Sequence, residues 1–213
     1  MKVHKIISFY MPWRHTVVQF SPIRSGSTLL FNLLREIFPK ASIEKQHTYG
    51  WFFDHLKVVS SVRHPFDCIG SIHQAHKKEP TMETVAWASK RFLDNGGSDA
   101  VRVKDKDNVL VLRYESFVDD YDVIFDALEG FVGIEISESQ RDDLNKRFSR
   151  DGVRKIMADK NNFFEWDKET RIHGDHISKR NGQCGYGKEI FTPEQQESIA
   201  DHCAEYMKAF GYE

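Results

Sequence analysis

Apolar positions along the chain follow two periods. Short runs rich in β-branched residues alternate with longer stretches in which apolar residues recur every three to four positions, so strands and helices are expected to alternate. Val17-Val18-Gln19-Phe20 reads as a buried strand that ends in a turn, Ser21 to Thr28. Helical spacing then covers residues 29–38 and stops at Pro39. Residues 41–46 are a candidate second strand. Lys57-Val58-Val59-Ser60-Ser61-Val62 is a stronger one and leads at once into Arg63-His64-Pro65 and a helix. Pro65 suits the first turn of that helix, where its missing N–H costs nothing. Residues 81–95 are predicted helical, ending at Gly96-Gly97; Val109-Leu110-Val111-Leu112 is another strand, and residues 121–132 have helical spacing. Ser137-Glu138-Ser139-Gln140 is a capping-box pattern. Thr192, Pro193 and Gln195 open a C-terminal helix with the apolar stripe Ile199, Cys203, Tyr206, Met207 and Phe210, which Gly211 ends.

This alternation predicts an α/β fold, a three-layer arrangement with a parallel sheet and helices on both faces. No repeat, low-complexity tract or linker divides the 213 residues, so residues 1–213 are expected to form a single domain. Such sheets bind ligands beyond the carboxyl ends of their strands. The two segments richest in candidate chemistry stand at predicted strand ends.

Composition removes several classes of partner. Hydrophobic residues make up 40% and charged residues 29%, a globular balance, and the formal net charge is −2. No global basic field grips nucleic acid, so any anion site must be local. Cys68, Cys184 and Cys203 are far apart and form no CxxC pair, which suits a reducing compartment. No segment approaches the ~18 uninterrupted apolar residues of a membrane span. The basic N-terminus has neither a long apolar stretch nor a cleavage site. A cytoplasmic protein without membrane contact is expected.

The first candidate site is Ile23-Arg24-Ser25-Gly26-Ser27-Thr28, between strand and helix. A tight hydroxyl-bearing turn at a helix N-terminus makes a nest of backbone N–H groups, and Arg24 adds a fixed charge, a chemistry suited to phosphate or sulfate. It is no Walker A loop, since GxxxxGK[ST] is absent. The plainer alternative is that Ser and Thr only cap the helix. In the second site Arg63 leaves a strand end and Ser71 follows eight residues later, placed so that both can meet one oxyanion. Its alternative is a surface ion pair of Arg63 with Asp67.

Together these segments resemble the sulfotransferase family. Its first loop reads P-[KR]-S-G-[ST]-[ST], matched from Pro22 to Thr28 with one extra residue after the proline, and its second element is an Arg with a Ser eight positions on. Lys45-Gln46-His47 looks like the Lys-x-His segment of the cytosolic members, Tyr114-Glu115 like a Tyr-Glu pair whose Tyr touches adenine, and Arg180-Asn181-Gly182 like an Arg-Lys-Gly clamp on a 3′-phosphate. Phe191-Thr192 follows at the family's interval. The chain departs from the pattern at Arg24 (Lys in cytosolic members), Leu29 (an adenine-stacking Trp) and Asn181 (Lys). Ser149 is a candidate for a second adenine-side Ser.

The resemblance implies a P-loop NTPase-like sulfotransferase fold and in-line transfer of a sulfuryl group from 3′-phosphoadenosine 5′-phosphosulfate (PAPS). The acceptor would be a hydroxyl or amine on a small molecule or carbohydrate, and no metal is expected. It implies nucleotide contacts from Arg24, Ser25, Gly26, Ser27, Thr28, Arg63, Ser71, Tyr114, Arg180, Asn181 and Gly182. It makes His47 the general base, with Glu44 and Glu115 as competitors, and Arg24 and Lys45 the stabilisers of the leaving oxygen. Two other readings share the strand–loop–helix: a P-loop small-molecule kinase, which needs a Lys-[ST] pair and an Asp for Mg²⁺, and a non-catalytic adenosine-bisphosphate-binding module. Trp51-Phe52-Phe53 and Phe163-Phe164-Glu165-Trp166 either wall an acceptor pocket or pack as core. His73 and His76, three apart on a helix, read as solvated rather than metal-binding.

Overall fold

The computed structural model describes residues 17–160, 162, 165–174, 176–177 and 182–212. Its regular elements, in chain order, are β1 (Val17–Phe20), α1 (Ser27–Ile37), β2 (Glu44–Gln46), β3 (Lys57–Val62), α2 (Pro65–His76), α3 (Met82–Phe92), α4 (Ser98–Val103), β4 (Val109–Arg113) and α5 (Tyr114–Phe117). They continue with α6 (Asp122–Leu128), α7 (Glu138–Phe148), α8 (Arg150–Met157), α9 (Gly187–Ile190), α10 (Pro193–His202) and α11 (Ala204–Phe210). The four strands pair in parallel in the order β2-β1-β3-β4.

Period two along the strands builds both faces of the sheet. Val18, Phe20, Val58 and Val62 enter one buried cluster with Ile69, Phe92, Ile199 and Tyr206 of α2, α3, α10 and α11. Val17, Val59 and Leu112 enter a second with Leu30, Leu33, Leu34, Phe117 and Ile124 of α1, α5 and α6. The expected three layers, with helices on both faces, are therefore present.

Several element boundaries differ from expectation, each for a local reason. The strand over 41–46 is confined to Glu44–Gln46, because β1 offers partners only at Val18, Gln19 and Phe20 and the Ala41 N–H is taken by the Phe38 carbonyl. The helix from the Thr81 cap does not stop at Gly96-Gly97. It loosens into a wide turn over Leu93–Gly97, where Gly96 takes φ 106°, and resumes as α4. The C-terminal helix is interrupted at Cys203, whose ψ opens to 14° while its N–H is shared between the Ile199 and Asp201 carbonyls. Its apolar stripe holds nonetheless, with Ile199, Cys203 and Tyr206 buried. The capping box of Thr192 and Gln195 forms as expected, with Pro193 in the first turn.

Candidate active site

All four strands end at one cleft of ≈ 600 Å³. From β1 comes the loop into α1. Beneath it lies a buried hydroxyl cluster: Ser21 Oγ meets Ser61 Oγ at 2.9 Å and accepts from the Ser61 N–H at 2.8 Å and from Gln19 Nε2 at 2.6 Å. Ser25 Oγ donates to the Pro22 carbonyl at 2.7 Å, so this hydroxyl ties the loop to itself and Ser25 does not line the cleft. Arg24 and Gly26 both take left-handed φ, 66° and 89°. At Gly26 any Cβ would stand 2.7 Å from the Tyr114 ring. No side chain caps α1 and no acid occupies its first turn, which removes the reading of Ser27 and Thr28 as mere caps. The positive end of the α1 dipole, without a side-chain cap, therefore meets the cleft that Gly26, Ser27, Thr28 and Leu29 line.

From β2 come Lys45 and His47. Lys45 Nζ donates to Thr28 Oγ1 at 2.6 Å. Burial, and then the charges of Arg171 and Arg24, pull its ammonium down to about 8. His47 Nδ1–H donates to the Ser21 carbonyl at 2.8 Å, which leaves Nε2 as the free acceptor of a neutral ring. Burial lowers its affinity for a proton; the Ser21 bond opposes this, and Lys45 and Arg24 reinforce it.

β3 delivers Arg63 and β4 delivers Tyr114. The guanidinium lies 4.3 Å above the Tyr114 ring. Arg63 Nη2 donates to the carbonyls of Gly182 and Gln183, at 3.3 and 3.0 Å, and pairs with Asp67 at 3.4 Å. The expected alternative, an Arg63–Asp67 pair, is thus real but not at the surface: the side chains are 7% and 1% exposed. Asp67 also accepts from the N–H groups of Gly185 and Gly187, each at 2.8 Å. Tyr114 donates its hydroxyl to the Gly182 carbonyl at 3.1 Å. A chain segment distant in sequence is thereby fastened to the ends of β3 and β4. Arg63 Nε is buried without a partner.

Arg24, Gly26, Ser27, Thr28, Lys45, His47, Arg63, Ser71, Tyr114 and Gly182 therefore line one cleft, while Ser25 does not. Arg180 and Asn181 lie outside the described residues, as do Phe163 and Phe164. Leu29 lines the cleft; Ser149 does not, its hydroxyl being spent capping α8 at the Gly152 N–H. Neither competing base faces the cleft. Glu115 accepts from the His64 N–H at 2.8 Å and the Tyr212 hydroxyl at 2.9 Å, and Glu44 is no lining residue. Trp166 lines the cleft, whereas Trp51 and Phe52 are exposed away from it and Phe53 is core. His73 is not solvated but 2% exposed, set edge-on to Phe191, since that face of α2 packs inward.

Sequence reading missed the rest of the charge. Arg91, Arg150 and Arg171 also line the cleft, and among its described lining residues there is no Asp or Glu. A tight turn held by Asp167, which accepts from Thr170 N and Oγ1, carries Arg171, Ile172 and His173 to the rim. Buried Asn32 fastens it to α1 by donating to the carbonyls of Thr28 and Thr170, at 2.8 and 2.9 Å. His176 follows; burial, then His173, Lys45 and Arg24, push it to about 3, so it stays neutral. The Arg/His density of residues 171–176 is a signal a sequence can show; Arg91, on an ordinary amphipathic helix, gives none.

Residues 50–211 match the family of the sulfotransferase domain. The chain belongs to that family. Comparison with curated protein sequences finds no match to this sulfotransferase. Solved structures similar to it include mouse sulfotransferase SULT7A1 complexed with PAP, at 17% identity and TM-score 0.64, covering 91% of this chain and 84% of that one. Retinol dehydratase is similar as well, in a complex with androsterone and inactive cofactor PAP: 16% identity, TM-score 0.63, 94% and 83% covered. A complex of retinol dehydratase with retinol and PAP aligns at TM-score 0.62, with 16% identity and the same coverage, 94% and 83%. At these identities the likeness establishes the fold, the P-loop NTPase-like α/β fold expected from the loops. No described helix of this sulfotransferase is long and apolar enough to cross a membrane.

Proposed function

We propose that this sulfotransferase takes PAPS across the carboxyl ends of β1–β4 and transfers its sulfuryl group to an acceptor hydroxyl, with His47 as general base. One observation carries the reading. On a chain of net charge −2, a cleft lined by Arg24, Lys45, Arg63, Arg91, Arg150 and Arg171 has no carboxylate among its described lining residues. Six cations around an uncapped helix N-terminus, with only Arg63 and Arg150 ion-paired to acids outside the described lining, suit a multiply anionic nucleotide.

Within the cleft the chemistry divides by position. Thr28, Lys45 and Arg24 gather around the α1 N-terminus, where charge develops on the oxygen leaving sulfur. Arg63, with its unpartnered Nε, and Ser71 would hold the 3′-phosphate. Tyr114 offers its ring to adenine. His47 Nε2 takes the acceptor proton as the acceptor oxygen bonds to sulfur and the bond from sulfur to the 5′-phosphate oxygen breaks. Adenosine 3′,5′-bisphosphate departs with that electron pair. The kinase alternative lacks its Lys-[ST] pair in the loop. Its metal-binding acid is missing from the described lining residues.

Thermal-shift and calorimetric titration with adenosine 3′,5′-bisphosphate, AMP, ATP and GTP tests the nucleotide. A site-specific ligand at a hundred times its Kd adds about 2.7 kcal/mol of stability, a readily measured shift. The bisphosphate is expected to bind best. Arg63→Ala should weaken it about tenfold or more, the worth of one charge-assisted contact, while AMP binding hardly changes. Preference for ATP, or equal loss of AMP and bisphosphate, would sink the assignment.

A further inference from the structure

Most described arginines pair with a carboxylate. Arg24, Arg91, Arg113 and Arg171 make no ion pair among the described residues, and all but Arg113 line the cleft. Arg24 belongs to the loop and Arg171 lies near Lys45. Arg91 adds to the cleft's positive field but is given no contact with either phosphate in the reading above. It comes from the last turn of α3, as His76 comes from the last turn of α2, and both reach the cleft. Cations in last helical turns are ordinary, because they meet the negative end of the dipole. What sets these two apart is that they turn into an acid-free cleft instead of toward carboxylates.

Trp87 organises the corner. Its ring receives His76 edge-on at 5.2 Å between centroids, Lys78 Nζ at 3.9 Å and Arg91 Cζ at 5.8 Å. Three basic side chains thus gather on one indole at the mouth of the cleft. The corner adjoins the loop end rather than the Arg63 end. His76 feels Arg91 and Arg24 after its own burial, and Arg24 feels Arg91, whereas the groups around Arg63 are Tyr114, Cys68, Asp67 and Cys184. Along α2, His76 lies five residues beyond Ser71, roughly 7 Å of helix rise.

We propose that Arg91 and His76 form an anion subsite for the acceptor at the loop end of the cleft, and that the acceptor carries an oxyanion group besides its nucleophilic hydroxyl. This rests on the sulfotransferase reading above. Arg91 supplies a planar fork that can meet a carboxylate or sulfate with paired hydrogen bonds. Cationic acceptors are disfavoured, since no described lining carboxylate receives them.

Matched acceptors decide it: 4-hydroxyphenylacetate against its carboxamide, and methyl glucuronoside against methyl glucoside, each with PAPS. The carboxylate member should show kcat/KM at least tenfold higher, expressed mainly in KM. Arg91→Ala should erase that preference and Arg91→Lys should keep part of it. Arg113→Ala, which removes an unpaired charge away from the cleft, should leave the preference intact. Adenosine 3′,5′-bisphosphate affinity is measured on the same variants. Lost nucleotide binding in the unsubstituted protein overturns the sulfotransferase reading itself. Intact nucleotide binding with equal rates inside both pairs, no product from either pair, or a preference that survives Arg91→Ala overturns the subsite.

Discussion

His47 and Lys45 carry the sharpest consequences of single side chains. A base must reach the acceptor proton unprotonated, and His47 is held neutral by burial with its Nδ1–H fixed on Ser21. His47→Ala should lower kcat by two to four orders of magnitude and leave bisphosphate affinity close to unchanged, read by steady-state kinetics beside calorimetry. Near wild-type turnover would move the base elsewhere. Proton linkage gives a second test. Activity should rise with pH through the His47 titration, which lies below the ordinary imidazole range. It should fall again as Lys45 loses its proton, at about 8 in the free protein. The kcat/KM profile is therefore a bell whose alkaline limb sits near 8. Bound anions favour the ammonium, so the limb should move upward in kcat, and Lys45→Arg should abolish it. An alkaline limb that survives Lys45→Arg belongs to another group.

At the level of elements, two joints hold the cleft together. The first is the kink between α3 and α4. Gly96 sits at φ 106°, where a Cβ would fall 2.7 Å from the His47 carbonyl and 2.9 Å from Pro22 Cα, and the adjacent Asn95 carbonyl accepts the Ile23 N–H. Gly96→Ala should push on the β1–α1 loop at Pro22 and on His47 together, lowering Tm by several degrees and weakening bisphosphate binding. Gly130→Ala, with open space around its Cβ, should do neither. A tolerated Gly96→Ala would show that the kink does not set the loop. The second joint is Asp67, which fastens the segment containing Gly185 and Gly187 to α2 while balancing Arg63. Removing one partner of so buried a pair costs about 3–5 kcal/mol. Asp67→Ala should therefore lower Tm by about 10 °C, checked by calorimetry.

For the molecule as a whole, the net charge of −2 and the basic cleft make opposite statements about an approaching anion. The cleft should win, because its low-dielectric walls focus the field of the cations that line it and no described lining residue is an acid. Bisphosphate association measured by stopped flow should then slow steeply between about 0.01 and 0.15 M salt, as the Debye length falls from about 30 to about 8 Å. A rate indifferent to salt would mean that the cleft projects no field.

Much of this was legible in the linear chain. The β1 loop, His47, Arg63 and Tyr114 each follow a strand and Lys45 lies at the end of one, and a parallel α/β sheet must bring strand ends to one edge, so their convergence follows from period and order. Local chemistry also announced the caps at Ser137 and Thr192, while the capping box at Thr81 emerged only with the fold. Other features arose from pairings that no local pattern encodes. Ser25 was expected to face the cleft with its neighbours Arg24, Gly26, Ser27 and Thr28, yet its hydroxyl turns into the loop and is spent on Pro22. Glu115 looked like a base until the fold set it between the His64 N–H and the Tyr212 hydroxyl. Gly96 read as a helix stop, and only its contact with Pro22 and His47 makes it a spacer between two functional segments. Arg91 and His76 are surface-like residues on separate helices, and Trp87 with the packing of α2 on α3 brings them to one corner. Sequence determines periodicity, capping and the order of strand ends because these depend on neighbours along the chain; which polar group is satisfied and which is left free depends on partners tens of residues away, and tertiary structure alone decides that.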